Sequence, residues 1–318
     1  MPELPEVETV RRTLESRILG ALVERAQVRR RDVVEGPASA RALLEGDEIT
    51  ALRRRGKQLA LVGSSGRVAL VHLGMTGSMV VSDNEPVPDE PHVHAVWRLR
   101  QARMGLLWMR FRDPRRFGGL WTLSGIPALE KRWAGLGRDG LEVTGADLRD
   151  ALGSSKRAVK AGLLDQAAVA GVGNIYADEA LFLAGVNPLR KCRAIKPAEW
   201  DRLSDAIRGV LKASIDSGGS TLRDFVDGEG RGGGYQARRL VYGRKGEPCL
   251  ACSGKLVSRV VGGRTTVYCP ACQPSRSRGV SGPVIHRSFT AVEGQVVTVV
   301  PGASLPGVGA RSGSLASR

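Results

Sequence analysis

Four of the five cysteines fall in two pairs, Cys249-x2-Cys252 and Cys269-x2-Cys272, with sixteen residues between them. Two such knuckles at this spacing force the intervening chain into a short hairpin closed by a tetrahedral four-thiolate site. Zinc or another thiophilic ion satisfies that donor set. Four thiolates leave no open coordination position, so the metal is structural. The chain carries no secretory-signal pattern, which argues for a reducing compartment and against disulfides. Cys192 stands apart and reads as a plain core or surface thiol.

A length of 318 residues allows about two domains, and the net charge of +16 calls for a polyanionic partner, most simply nucleic acid. No apolar span of transmembrane length and no long basic amphipathic helix is present, which leaves no membrane role. Residues 1–20 read as a helix, with Pro5 and Glu6 in its first turn, Val7, Val10, Leu14 and Ile18 on one face, and Gly20 as the stop. Short β-type runs follow at Leu22–Val28, Gln58–Val62, Val68–Leu73, Val93–Leu99, Leu106–Phe111 and Phe117–Leu123, the rhythm of an antiparallel sandwich or barrel. The stretch Asp83–Pro91 reads as a surface loop, and the Gly-rich part of Leu129–Thr144 as a connection. Helical patterns occupy Ala146–Leu152, Lys156–Leu164, Ile175–Ala184 and Pro197–Ser217, before a glycine-heavy loop at 218–234.

The chain opens Met-Pro-Glu-Leu-Pro-Glu. A small second residue favours removal of Met1, leaving Pro2 as a free secondary amine. An α-amino group titrates at ~7.7–8.0, so a useful fraction is nucleophilic near neutral pH. Attack by a secondary amine on an aldehyde-level carbon gives a cationic iminium directly. Glu3 and Glu6 lie within one helical turn as candidate proton carriers. A proline and acids at this place are also how an ordinary helix begins.

Six motifs occur in order: Met-Pro-Glu-Leu-Pro-Glu-Val-Glu-Thr-Val, His72-Leu-Gly-Met75, Asp113-Pro-Arg-Arg-Phe117-Gly, Ala170-Gly-Val-Gly-Asn174-Ile-Tyr-Ala-Asp-Glu, Tyr242-Gly-Arg-Lys-Gly-Glu-Pro-Cys249 and the four-cysteine ribbon. Together, over about residues 1–273, they resemble the formamidopyrimidine-DNA glycosylases, bacterial enzymes that excise oxidised purines. The resemblance implies a bifunctional glycosylase and AP lyase of base excision repair. Pro2 would attack C1′ of an everted nucleotide, and β,δ-elimination would cut the flanking phosphodiesters. Glu3 would be the acid/base at the sugar ring oxygen, Glu6 a support for the site or its water, and Lys57 the phosphate-binding proton donor of β-elimination. Arg264, on the hairpin between the cysteine pairs, would assist δ-elimination.

By the same resemblance Met75, Arg115 and Phe117 fill the gap left by the everted nucleotide, Arg115 reading the orphaned cytosine and Phe117 wedging the stack. Arg116, His72 and His92 are candidate phosphate contacts, although the family's Lys-His-Asp-His reads Pro91-His-Val-His94 here. Asn174 belongs to a helix–two-turn–helix phosphate site. Lys156 and Lys160 add charge or form a solvated helix face. Thr221 and the backbone of 218–234 would contact the lesion. A further departure is Leu136-Gly-Arg-Asp-Gly-Leu141, where the family has Leu-Gly-Pro-Glu-Pro-Leu.

The expected architecture is α+β and multidomain. An N-terminal helix and antiparallel β-sandwich form a catalytic domain over 1–135. A helical helix–two-turn–helix DNA-binding domain covers 136–235 with its lesion-capping loop 218–234. A zinc β-ribbon follows over 236–275, and a basic tail over 276–318 reads as disordered, a weak nonspecific DNA tether at most. The expected setting is a monomer in the bacterial cytoplasm, bound to double-stranded DNA containing oxidised bases and holding one structural Zn2+. Two other readings compete: an endonuclease VIII-like glycosylase for oxidised pyrimidines, which shares the chemistry, and a non-catalytic zinc-ribbon protein that binds nucleic acid. The second gives no reason for Pro2, Glu3 and Lys57 to occur together.

Overall fold

The computed structural model describes residues 2–221 and 223–275. In chain order the elements are α1 (Leu4–Ile18), β1 (Leu22–Val28), β2 (Val34–Glu35), β3 (Ile49–Arg55), β4 (Gln58–Gly63), β5 (Val68–His72), β6 (Ser78–Ser82), β7 (Val93–Gln101), β8 (Gly105–Arg112) and β9 (Gly119–Leu123). Then come α2 (Ile126–Trp133), β10 (Arg138–Asp139), α3 (Gly145–Leu152), α4 (Val159–Leu163), β11 (Val169–Ala170), α5 (Asn174–Leu183), α6 (Pro197–Asp216), β12 (Val257–Val261) and β13 (Arg264–Tyr268).

The N-terminal strands form two sheets, one ordered β1-β7-β8-β6 and the other β2-β9-β5-β4-β3. Apart from the parallel two-residue pairing of β2 with β9, every pairing in them is antiparallel. Their inner faces bury Leu52, Leu59, Leu61, Met79, Trp97, Met109 and Phe111. Helix α1 belongs to two cores at once. Val7, Val10, Leu14 and Ile18 pack in the sandwich, whereas Leu4 packs with Val172, Ile175, Tyr176 and Leu211 of the helical part. Each such side chain contributes about 1.5–3 kcal/mol when fully buried, so the first turn is fixed from both sides.

The helical part centres on α5 and α6, with Trp200, Leu203, Ile207, Val210 and Leu211 on the buried face of α6 as the periodicity requires. The antiparallel β12–β13 hairpin packs on the end of α5, Phe182 lying in one cluster with Leu256 and Val267.

Five strands among the described residues escape a pattern reading. β3 ends in Arg53-Arg-Arg55, which masks its alternation. β6 is a five-residue run, and β2, β10 and β11 are only two residues long. The helix expected from Lys156 begins at Val159, because Ala158 is bridged to Lys191 in extended conformation. The Gly-rich connection begins after α2, which Pro127 seats in its first turn and which ends at Trp133. The tail 276–318 lies outside the described residues.

Candidate active site and nucleic-acid interface

Pro2 is buried immediately before α1, and Glu3 caps that helix. The Glu3 backbone N–H donates to Glu6 Oε2 at 2.8 Å, which satisfies a free helix-start donor and fixes both residues relative to Pro2. Glu3 Oε1 accepts from the Ile175 N–H at 3.0 Å, at the start of α5. Its second oxygen is buried with no hydrogen-bond partner among the described residues. Glu6 Oε1 accepts the Tyr176 hydroxyl and the Ser220 N–H, the latter at 2.8 Å. Tyr176 is held in turn against Ser214 Oγ at 2.6 Å.

Two carboxylates this close and this dry cannot both ionise freely. Burial drives the Glu6 carboxyl up to about 7, with the Glu3 charge adding to the effect and outweighing three hydrogen-bond donors. Burial raises Glu3 as well, against the pull of the Lys57 ammonium. A carboxyl poised near neutrality is what a proton carrier requires.

Lys57 sits with Gly56 in the two-residue turn between β3 and β4. Burial lowers its pKa, the charges of Glu3 and Glu6 raise it, and Arg264 lowers it further, so four charged groups share one field. The turn is anchored from the departing loop. Asp139 Oδ2 accepts from the Gly56 N–H at 2.9 Å and from Arg54 at 2.7 Å. Arg54 also binds Glu8 of α1 at 2.9 Å. Asp139, the acid within Leu136–Leu141, thus steadies the turn that carries Lys57. Arg264 is exposed at the start of β13.

The second constellation is a double loop. His72 ends β5 and accepts the Gly74 N–H on Nδ1 at 3.2 Å. Burial lowers its pKa, helped by Lys57. Met75 is half-buried. Asp113, fully buried, joins the two loops. Its Oδ1 accepts Thr76 Oγ1 at 2.6 Å and the Arg115 N–H at 3.3 Å, and its Oδ2 accepts the Gly118 N–H at 2.8 Å. A Cβ on Gly74 would lie 2.3 Å from the Gly118 nitrogen, so the loops pack backbone to backbone as one block. Beyond them Phe117 is 55% exposed, with the Arg115 guanidinium stacked 4.6 Å from its ring centroid. Arg116 is exposed and paired with Asp32 at 2.7 Å. With Arg30 and His92 it lines a small basic hollow.

Asn174 opens α5, one residue before the amide that holds Glu3. Lys156 is exposed in the turn ahead of α4. Lys160 is neither a DNA contact nor part of a solvated face. It is fully buried, 2.7 Å from Asp178 and 3.1 Å from the Thr265 carbonyl, because a carboxylate inside the fold draws it inward. The Thr221 hydroxyl is likewise spent within its own loop. It donates to the Phe225 carbonyl at 2.9 Å and accepts from the Gly233 N–H at 2.8 Å, which ties the two limbs of the loop together. Asp113, Tyr176 and Asp178 lie inside the motifs and Asp139 in the Leu136–Leu141 segment, but their partners are distant in the chain, so the motifs alone assign them no role.

The thiolates of Cys249, Cys252, Cys269 and Cys272 all lie within 4.8 Å of one another. The Cys252–Cys269 and Cys249–Cys272 separations are 3.5 and 3.9 Å. A tetrahedron with Zn–S near 2.3 Å has edges of about 3.8 Å, so the cluster fits zinc and is far too open for disulfides. Cys192 is a buried core thiol. No helix among the described residues is long and apolar enough to cross a membrane.

The chain matches the model of the formamidopyrimidine-DNA glycosylase N-terminal domain over residues 1–120, that of its H2TH domain over 136–226, and that of a zinc finger found in FPG and IleRS over 246–274. It is 41% identical over 283 residues to a formamidopyrimidine-DNA glycosylase of Heliobacterium modesticaldum, covering 86% of this chain and 100% of the relative. The one of Xanthomonas euvesicatoria is 42% identical over 276 residues, with the same coverage of each. Among solved structures, the MutM (Fpg) protein of Thermus thermophilus superposes with a TM-score of 0.74 at 40% identity, covering 87% of this chain and 100% of that one. Lactococcus lactis Fpg complexed with abasic-site DNA gives 0.77 at 31% identity, covering 86% and 99%.

Proposed function

The chain belongs to the formamidopyrimidine-DNA glycosylase family, and we propose that it performs that family's chemistry through Pro2, with Glu3, Glu6, Lys57 and Arg264 as the groups that move protons and hold the phosphate. It is a base-excision-repair DNA glycosylase with AP lyase activity that removes oxidised purines. The observation that carries the residue assignment is the buried Glu3–Glu6 pair beside the amine, facing Lys57 and Arg264.

Once Met1 is removed, the Pro2 nitrogen bonds to C1′ of an everted nucleotide and the C1′–N bond to the damaged base breaks. Glu3 reaches the sugar ring oxygen with its free Oε2 and delivers a proton there as the ring opens. The resulting iminium acidifies the C2′ proton, so the 3′ phosphate leaves by β-elimination and the 5′ phosphate by δ-elimination. Lys57 and Arg264 supply positive charge to these departing phosphates. The double loop holding Met75, Arg115 and Phe117 fills the vacated place in the duplex. Zinc, held by the four cysteines, stiffens the hairpin that carries Arg264. Monomeric action in the bacterial cytoplasm fits this reading.

The test is borohydride trapping on duplex DNA carrying 8-oxoguanine opposite cytosine, with a dihydrothymine duplex alongside. The expected result is a covalent adduct that maps to Pro2 and prefers the 8-oxoguanine duplex. Binding without adduct, from protein lacking Met1, would remove Pro2 from the mechanism.

A further inference from the structure

The loop that follows α6 is tied to α1 at both ends of that helix. Near its start, the Ser220 N–H donates to Glu6 on the first turn. Near its far end, the Gly228 N–H donates to Thr13 Oγ1 at 2.8 Å, on the third turn. That hydroxyl donates its own proton to the Thr9 carbonyl at 2.9 Å, which leaves a lone pair aimed at the loop. A Cβ on Gly228 would lie 2.7 Å from Thr13 Oγ1 and 2.9 Å from Leu14, so the loop backbone rests directly on the helix. The Gly228 carbonyl accepts the Val81 N–H at 2.8 Å, occupying the free edge of the sheet at β6.

One residue further on, Glu229 lies 3.5 Å from Arg17, and Arg17 also binds Asp83 at 2.6 Å. Asp227 is 5% exposed and closes the turn, accepting the N–H groups of Glu229 and Arg231, each at 2.9 Å. Phe225 sinks into the sandwich core between the two attachments. None of these contacts touches Pro2, Glu3 or Lys57.

We propose that Thr13 and Arg17 are positioning residues for base excision: they hold residues 225–231 on α1 and thereby set the height of the lesion-facing loop above the nucleophile at the start of the same helix. This rests on reading 218–234 as the segment that contacts the everted base. A preformed abasic site has no base to hold, so its cleavage through Pro2 is independent of the attachment. Thr13 and Arg17 therefore separate the two activities of one active site.

The experiment uses the zinc-loaded full chain in single-turnover assays on two duplexes, one with 8-oxoguanine opposite cytosine and one with a preformed abasic site. Thr13→Val keeps the branched shape and removes the acceptor, Thr13→Ser keeps the hydroxyl, and Arg17→Met removes the charge. Thr13→Val and Arg17→Met are expected to slow 8-oxoguanine release roughly fivefold to tenfold while abasic-site cleavage stays within about twofold, and Thr13→Ser is expected to match wild type. A parallel fall in both activities would show that the helix itself had moved, and unchanged excision would show an idle attachment. Either result overturns the proposal. Failure of the wild-type protein to release 8-oxoguanine while it cleaves abasic sites would instead strike the purine reading.

Discussion

Lys160 and Asp178 face each other at 2.7 Å with neither side chain exposed, and each also holds strand β13, Lys160 at the Thr265 carbonyl and Asp178 at the Val267 N–H. The pair thus brackets the backbone immediately after Arg264. Breaking a buried pair from one side strands a charge, at a cost of about 3–5 kcal/mol. Lys160→Met is therefore expected to lower the unfolding free energy by that order in a urea titration. Replacing both partners by apolar residues of similar size should recover most of the loss. A single variant as stable as wild type would mean that the pair is not buried in solution.

Glu6 gives a pH signature. Folded, its carboxyl titrates at about 7 rather than the usual 4.5, so the folded protein binds this proton more tightly than the unfolded chain does. Its contribution to stability is whole below about pH 4.5 and is lost as pH rises through about 7, an amount on the order of 3 kcal/mol. Glu6→Gln does not titrate. Relative to wild type, the variant should gain that amount between about pH 5 and pH 8 in paired urea titrations. A difference that stays constant with pH would refute the shifted carboxyl.

The Thr76–Asp113 hydrogen bond makes its own prediction. Thr76→Val removes the shortest contact of a buried carboxylate and costs about 1–3 kcal/mol of local order. The loops of Met75 and of Arg115 and Phe117 then no longer move as one block. Excision of 8-oxoguanine opposite cytosine should fall several-fold, and its preference for cytosine over adenine in the opposite strand should narrow. An unchanged ratio of the two rates would sever the link between these loops and opposite-base reading.

Metal removal tests the ribbon. Binding of zinc to four thiolates is folding free energy for the segment that contains them. Stripping the ion, or substituting Cys269→Ser, is expected to release β12 and β13 and to weaken lesion-DNA binding at least about tenfold, in step with zinc content. Full DNA binding by metal-free protein would separate Arg264 from the metal.

The residues legible in the sequence are those whose chemistry is local. Pro2, Glu3 and Glu6 are neighbours in the chain, the cysteines announce themselves by spacing, and the Gly56-Lys57 turn lies between two strands. The partners that tune them are distant: Tyr176 stands 170 residues from Glu6, Asp139 83 residues from Gly56, and Thr76 37 residues from Asp113. No periodicity carries such pairings. Lys160 shows the opposite error, for a lysine in a basic run reads as solvated until a buried Asp178 is supplied by another helix. The strand at β3 was hidden for the same reason, since Arg54 is drawn in against Glu8 and Asp139 rather than left free in water.

Helix α1 has almost no idle surface. Its cap and first turn hold Glu3, Glu6 and Leu4, one stripe enters the sandwich core, Glu8 gathers Arg11, Arg12 and Arg54, and Thr13 and Arg17 carry the loop. Only Arg12 and Ser16 are exposed along its length. A library of all single substitutions through this helix should therefore find freedom to vary at those two positions and almost nowhere else. Neutral drift, which usually wears away the surface of a helix first, has hardly any surface here to work on.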